Sequence, residues 1–166
     1  MKKLTLVLAL LIGGIYGVKA LNQERVMFVV FNYENGIYRG AAESDVIGFE
    51  ADWYKDRPRY EGRFFEEFAE PISNITSKAA MIRTEQQLAE LGEITAPIVR
   101  IEIISVDKKG NTQAEISFTN PAKPEQNAEI VMRSKGGTFG TWLNLFGDGM
   151  EHLAPQVASW IAKIYK

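Results

Sequence analysis

The chain has 166 residues, 46% of them hydrophobic, with 19 Lys and Arg against 21 Asp and Glu, a length that suits one ordinary domain with a single core. A net charge of −2 with no cluster of Lys and Arg argues against nucleic acid or anionic lipid as the main partner. The absence of cysteine excludes disulfides, thiolate metal sites and a cysteine nucleophile.

Lys2 and Lys3 precede an uncharged apolar run from Leu4 to Val18, and Val18-Lys19-Ala20 closes it on a small residue. A basic start, a short apolar core and a small-residue exit predict a secretory signal peptide over 1–20. The run falls short of the ~20 residues that a spanning helix needs, so no transmembrane segment is expected after cleavage. Removal of the three lysines in 1–20 leaves 16 basic against 21 acidic residues, a balance of −5 over a single domain at 21–166. An exported domain without disulfides fits the bacterial periplasm or medium.

Residues 25–33, Arg-Val-Met-Phe-Val-Val-Phe-Asn-Tyr, are apolar at both alternate sets of positions. This predicts a central strand covered on both faces, turned by Asn35-Gly36. Ser44-Asp45 is a candidate helix cap. Trp53, Tyr60, Phe64 and Phe68 then fall on one side of a helix. Pro58 predicts a kink or two helices meeting near Asp56, and Pro71 predicts an end. A second strand over 79–84 would complete a strand–helix–strand unit with a parallel pair. Gln86 to Leu91 predicts a short helical turn stopping at Gly92.

Ile98 to Val106 is rich in β-branched residues, and 107–111 reads as a Gly-containing turn. Thr112, Ala114, Ile116 and Phe118 alternate with polar residues, as in a strand with one wet face. A loop with Pro121 and Pro124 leads to a strand from Ala128 to Arg133, completing an antiparallel meander. A last helix is expected over about 149–165, capped by Asp148, with Met150, Leu153, Val157, Trp160, Ile161 and Ile164 on one face and Pro155 as a kink or late start. The expected fold is α/β (α+β): a mixed sheet with two long helices packed on it.

Chemistry-bearing residues are few. The segment 136–149 holds five of the 14 glycines, interleaved with Phe139, Trp142, Leu143, Leu145 and Phe146. It lacks the P-loop and dinucleotide-site patterns, so no cofactor is expected. Phe139, Trp142, Asn144 and Phe146 are its candidate binding residues, for a protein partner or the membrane edge. The alternative is that these side chains close the end of the core, the commoner fate of apolar residues. His152 is the single histidine, so no histidine-rich metal site is expected. Asp148, four residues before it, could meet it on one helix face as half of a triad. No serine has a nucleophile-elbow context, and no catalytic residue is assigned. The acidic pairs Glu66-Glu67 and Glu43/Asp45 read as solvated charge.

The opening strand ending Phe31-Asn32-Tyr33, the helix carrying Trp53, Tyr60 and Phe64, the meander ending in Gly-Gly-x-Phe-Gly and the amphipathic last helix together carry a resemblance. Over about 25–165 the chain resembles small exported α/β proteins of unknown function from anaerobic Gram-negative bacteria. More distantly it is similar to the periplasmic part of curli-secretion channels and to lipoprotein activators of penicillin-binding proteins, from which the missing lipid-bearing cysteine sets it apart. The resemblance implies a non-enzymatic envelope accessory or binding role with an envelope protein as partner. The rival expectations are a small periplasmic hydrolase using carboxylates and His152, and a membrane-edge protein using the 136–149 segment.

Overall fold

The computed structural model describes residues 22–165, so the expected signal peptide lies outside the described residues. The apolar run becomes strand β1 (Val26–Asn32). Met27 and Val29 enter the main core beneath the long helices, whereas Val26, Phe28 and Val30 join a smaller cluster with Leu88, Ala96 and Ile98 on the opposite face. Both faces are thus covered, which is why the run shows no polar alternation. Strands β4 (Ala79–Ile82) and β5 (Ile98–Val106) flank β1, both parallel to it. After the Tyr33–Gly36 turn, β2 (Ile37–Tyr38) continues along β5 where β1 leaves it, with Tyr38 opposite Val106. Strand β3 (Ala41–Ala42) closes a hairpin on β2. Beyond β5, β6 (Thr112–Thr119) and β7 (Ala128–Ser134) form the antiparallel meander. Thr112, Ala114, Ile116 and Phe118 are buried on the helix side of β6.

Helix α1 (Trp53–Thr76) buries Trp53, Tyr60, Phe64, Phe68 and also Ile72. It runs unbroken through Pro58 and Pro71, so neither proline divides or ends it. Each proline removes one intrahelical bond at about 3 kcal/mol. Each buried aromatic on either side contributes ~1.5–3 kcal/mol only if the helix stays continuous. The stop is instead Ser77, left-handed at φ 57°, whose N–H donates to Ser73 O. Ser44 and Asp45 cap no α-helix. They lie inside a 3-10 helix, Glu43–Gly48, and a further turn at Glu50 separates it from α1. Helix α2 (Glu85–Glu90) starts on a capping box of Thr84 and Gln87 and covers the outer face of β1 through Leu88.

Helix α3 (Trp142–Ile164) begins seven residues ahead of the expected start, capped by Thr141 rather than Asp148, and passes through Pro155 without a break. Residues 142–149 of the glycine-rich segment 136–149 are therefore helix. Its glycines mark close approaches instead. A Cβ on Gly149 would meet Gly110 O at 2.5 Å and Thr112 Oγ1 at 2.7 Å, and a Cβ on Gly147 would meet Arg63 Nη1 at 2.5 Å. Helical glycine costs ~1 kcal/mol, but here it lets α3 lie directly on the β5–β6 turn and against α1. Arg63 of α1 reaches Asp148 and Glu151 of α3, locking the two helices side by side on one face of the sheet.

Gly110 turns the chain at φ +74°, and a Cβ there would strike the Leu145–Phe146 backbone; Gly92 has φ +77° with nothing within 4 Å. Gly92→Ala should therefore cost only the left-handed backbone term of ~1–2 kcal/mol. Gly110→Ala should cost about 1–3 kcal/mol more by displacing α3. Denaturant unfolding of the two variants distinguishes these; equal losses would contradict the packing.

Candidate functional site

The side chains richest in polar and aromatic contacts gather at the end of the sheet where β2 and β5 finish. Trp53, the first residue of α1, is fully buried there. Its ring centroid lies 5.0 Å from Tyr38, 5.9 Å from Tyr33, 5.9 Å from Trp142 and 5.8 Å from Phe146. Its Nε1–H donates to Glu43 Oε1 at 2.7 Å. Glu43 is only 8% exposed. It also accepts from Tyr54 Oη at 3.2 Å and from Arg57 Nη1 at 3.3 Å. A buried carboxylate is tolerated when paired and hydrogen-bonded in this way. The Arg57 guanidinium lies over the rings of Tyr33 and Tyr54 at 4.9 and 4.7 Å.

Burial pushes the Tyr38 hydroxyl far above its ordinary range, and the Glu43 charge adds to this against Arg57. Tyr38 Oη–H donates to Tyr33 O at 2.9 Å. Burial likewise raises Tyr33, helped by the Glu61 charge, and raises Glu61 itself against the pull of Arg57. The Tyr33 hydroxyl makes no hydrogen bond among the described residues. This cluster is a filled polar plug that ties the Glu43–Gly48 turn to α1. Two surface depressions lie away from it: one of about 450 Å³ beside Lys123 and Ile164, and a small cleft of about 70 Å³ by Arg100 and Glu115.

Around the plug runs an apolar rim. The β2–β3 turn has two residues, Arg39 and Gly40, both at positive φ, as a tight hairpin requires. That turn sets the Arg39 guanidinium 4.7 Å from the Phe49 ring centroid and 5.7 Å from that of Trp142, with Glu50 as its ion partner at 3.6 Å. Phe49 meets Trp142 edge to face at 6.0 Å. Trp142 Nε1–H donates to Asp107 O at 2.8 Å, pinning the start of α3 to the end of β5. Ile37, Ile47, Phe49 and Tyr54 are exposed, and Phe139, three residues ahead of Trp142, is 88% exposed.

The structure separates the four candidate binding residues. Trp142 is 7% exposed and Phe146 fully buried, both stacked into the plug. Asn144 is half-buried, and its backbone carbonyl accepts from Arg63 Nη1 at 3.3 Å. Phe139 alone among them faces solvent. Asp148 and His152 do not meet: Asp148 is taken by Arg63, and His152 Nδ1 lies 2.8 Å from the Lys135 carbonyl. Glu66 and Glu67 are exposed on the outer side of α1, and Asp45 is exposed as well. Their expected companion Glu43 is the residue sequence reasoning missed. It stands ten residues before Trp53 and fourteen before Arg57, a spacing with no helical or strand period to betray it. Among the described residues no group of three or more acidic or His side chains is placed to hold a metal ion, and no helix is long and apolar enough to cross a membrane.

No protein-family model, curated protein or solved structure matches the chain.

Truncation should separate plug from rim. Trp142→Ala and Phe146→Ala should each lose ~3–5 kcal/mol of unfolding free energy, as large core deletions do. Phe139→Ala should stay within about 0.5 kcal/mol of the parent. Chemical unfolding of the three variants checks this; a Trp142→Ala loss as small as that of Phe139→Ala would place Trp142 outside the core.

Proposed function

We propose that the chain is an exported, non-catalytic accessory domain that binds another envelope protein through the rim around Phe139. One observation carries this reading: Phe139, 88% exposed, lies three residues ahead of Trp142, which is itself braced by Phe49 and Arg39. Large aromatics held on rigid support are the usual anchors of protein interfaces, because little side-chain freedom is lost when they are covered. The rim also mixes Arg39 and Glu50 with Ile37, Ile47 and Tyr54, the apolar-with-polar composition of a recognition surface. The basic-apolar-small pattern over 1–20 and the resemblance to envelope domains support the location. The hydrolase reading loses ground, since Asp148 and His152 are engaged with other groups.

Photo-crosslinking in the producing cell tests the proposal. A crosslinking residue at Phe139 or Phe49 should trap one and the same envelope protein, on a chain lacking residues 1–20. The same probe at Glu66, on the exposed side of α1, should not trap it. Crosslinks to lipid alone would favour the membrane-edge reading and overturn this one. Equal yields at all three positions would also remove the rim as a site.

A further inference from the structure

Among the described residues, strand β7 ends the sheet and pairs with β6 alone. It is seven residues long, contains no proline, and keeps an unbroken register from Thr112↔Ser134 to Phe118↔Ala128. An uninterrupted outer strand of this kind offers its free N–H and C=O groups to a further strand. Ile130 and Val131 on it are 37% and 51% exposed. Glu129 and Arg133 stand two residues to either side of Val131 and share its face by strand alternation. Within the chain they lie opposite Ser117 and Gln113, and neither forms an ion pair among the described residues.

We propose that β7 pairs antiparallel with β7 of a second copy about a two-fold axis at Val131, forming a dimer with one continuous sheet. In that register Glu129 faces Arg133 of the second copy and Arg133 faces its Glu129, so both charges gain a cross-strand partner. Val131 meets Val131, and Ile130 meets Met132 of the other copy. A shift centred on Ile130 would set Glu129 opposite Val131 and Arg133 opposite Asn127. One centred on Met132 would set Arg133 opposite Val131 and leave Glu129 facing only Lys135, beyond the end of β7, so the charge pattern within the strand selects this register. Self-complementarity about a single residue is what an isologous interface requires. The direction of β7 follows β5, since both run antiparallel to β6. The two-fold therefore sends the rims of the two copies to opposite ends, making the dimer bivalent.

The protein as recovered from the producing cell should sediment as a concentration-dependent dimer. Arg133→Glu replaces two attractions by two repulsions and should weaken dimerisation about tenfold or more. The double swap Glu129→Arg with Arg133→Glu should restore it. Because the chain has no cysteine, Val131→Cys supplies a single thiol. Facing Cα atoms in antiparallel strands lie roughly 4.5–5.5 Å apart, within disulfide reach, so mild oxidation should give a covalent dimer. Glu66→Cys, on an exposed helix face, should not. A wild-type monomer at all concentrations overturns the proposal, as does a dimer indifferent to Arg133→Glu. A double swap that fails to restore association, or a Val131→Cys variant that does not crosslink, overturns this register.

Discussion

Trp53 is the constraint on which the rest of the molecule depends. It opens α1, is fully buried, and touches the aromatic rings of Tyr33 from the end of β1, Tyr38 from β2, and Trp142 and Phe146 from α3. Its one polar atom is satisfied by Glu43, so the same side chain also holds the turn between β3 and α1. Tryptophan suits the position because one residue brings a large apolar area and a single donor. Leucine there would leave Glu43 without its shortest hydrogen bond, in a place where a charge must be well partnered.

With that hub in place, the two long helices have little freedom. Arg63 fastens them to each other through Asp148 and Glu151. Ser134 Oγ–H donates to Gly149 O at 2.6 Å, fastening α3 to the end of β7. The result is a sheet with one face roofed by α1 and α3, while among the described residues α2 covers the other over β1, Met81 of β4 and the start of β5. The rim owes its fixed shape to this arrangement. Arg39, Phe49 and Trp142 come from the hairpin, the turn and the last helix, and Trp142 among them packs on Trp53.

Much of the fold was legible in the sequence, because burial imprints a period. The apolar run of β1, the alternation of β6 and the aromatic spacing of α1 each reported which faces would be covered. Punctuation was less dependable. Pro58 was read as a kink or a junction of two helices, Pro71 as an end and Pro155 as a kink or late start, yet all three lie inside continuous helices whose buried stripes extend past them. Gly147 and Gly149 suggested loop, whereas their small size serves close contacts with Arg63 and Gly110. Such contacts join segments far apart in the chain and leave no local mark. The same holds for the site. Phe139 was visible as an aromatic in a glycine-rich stretch, but whether it or Trp142 faces solvent depends on where α3 begins, and that is set by Thr141 and by packing on Trp53. Glu43 looked like surface charge because its partners lie ten to fourteen residues away.

The most direct test of the hub is amide hydrogen exchange in Trp53→Phe, which keeps an aromatic ring and deletes the N–H donor to Glu43. A hydrogen bond to a buried charge is worth ~1.5–3 kcal/mol. The amides of Phe49 and Glu50, both bonded to Val46 O, should therefore exchange about tenfold or more faster, while those of β5 and β6 keep most of their protection. Unchanged exchange at Phe49 and Glu50, or an equal loss across the whole sheet, would contradict a specific role for Trp53 in holding the rim.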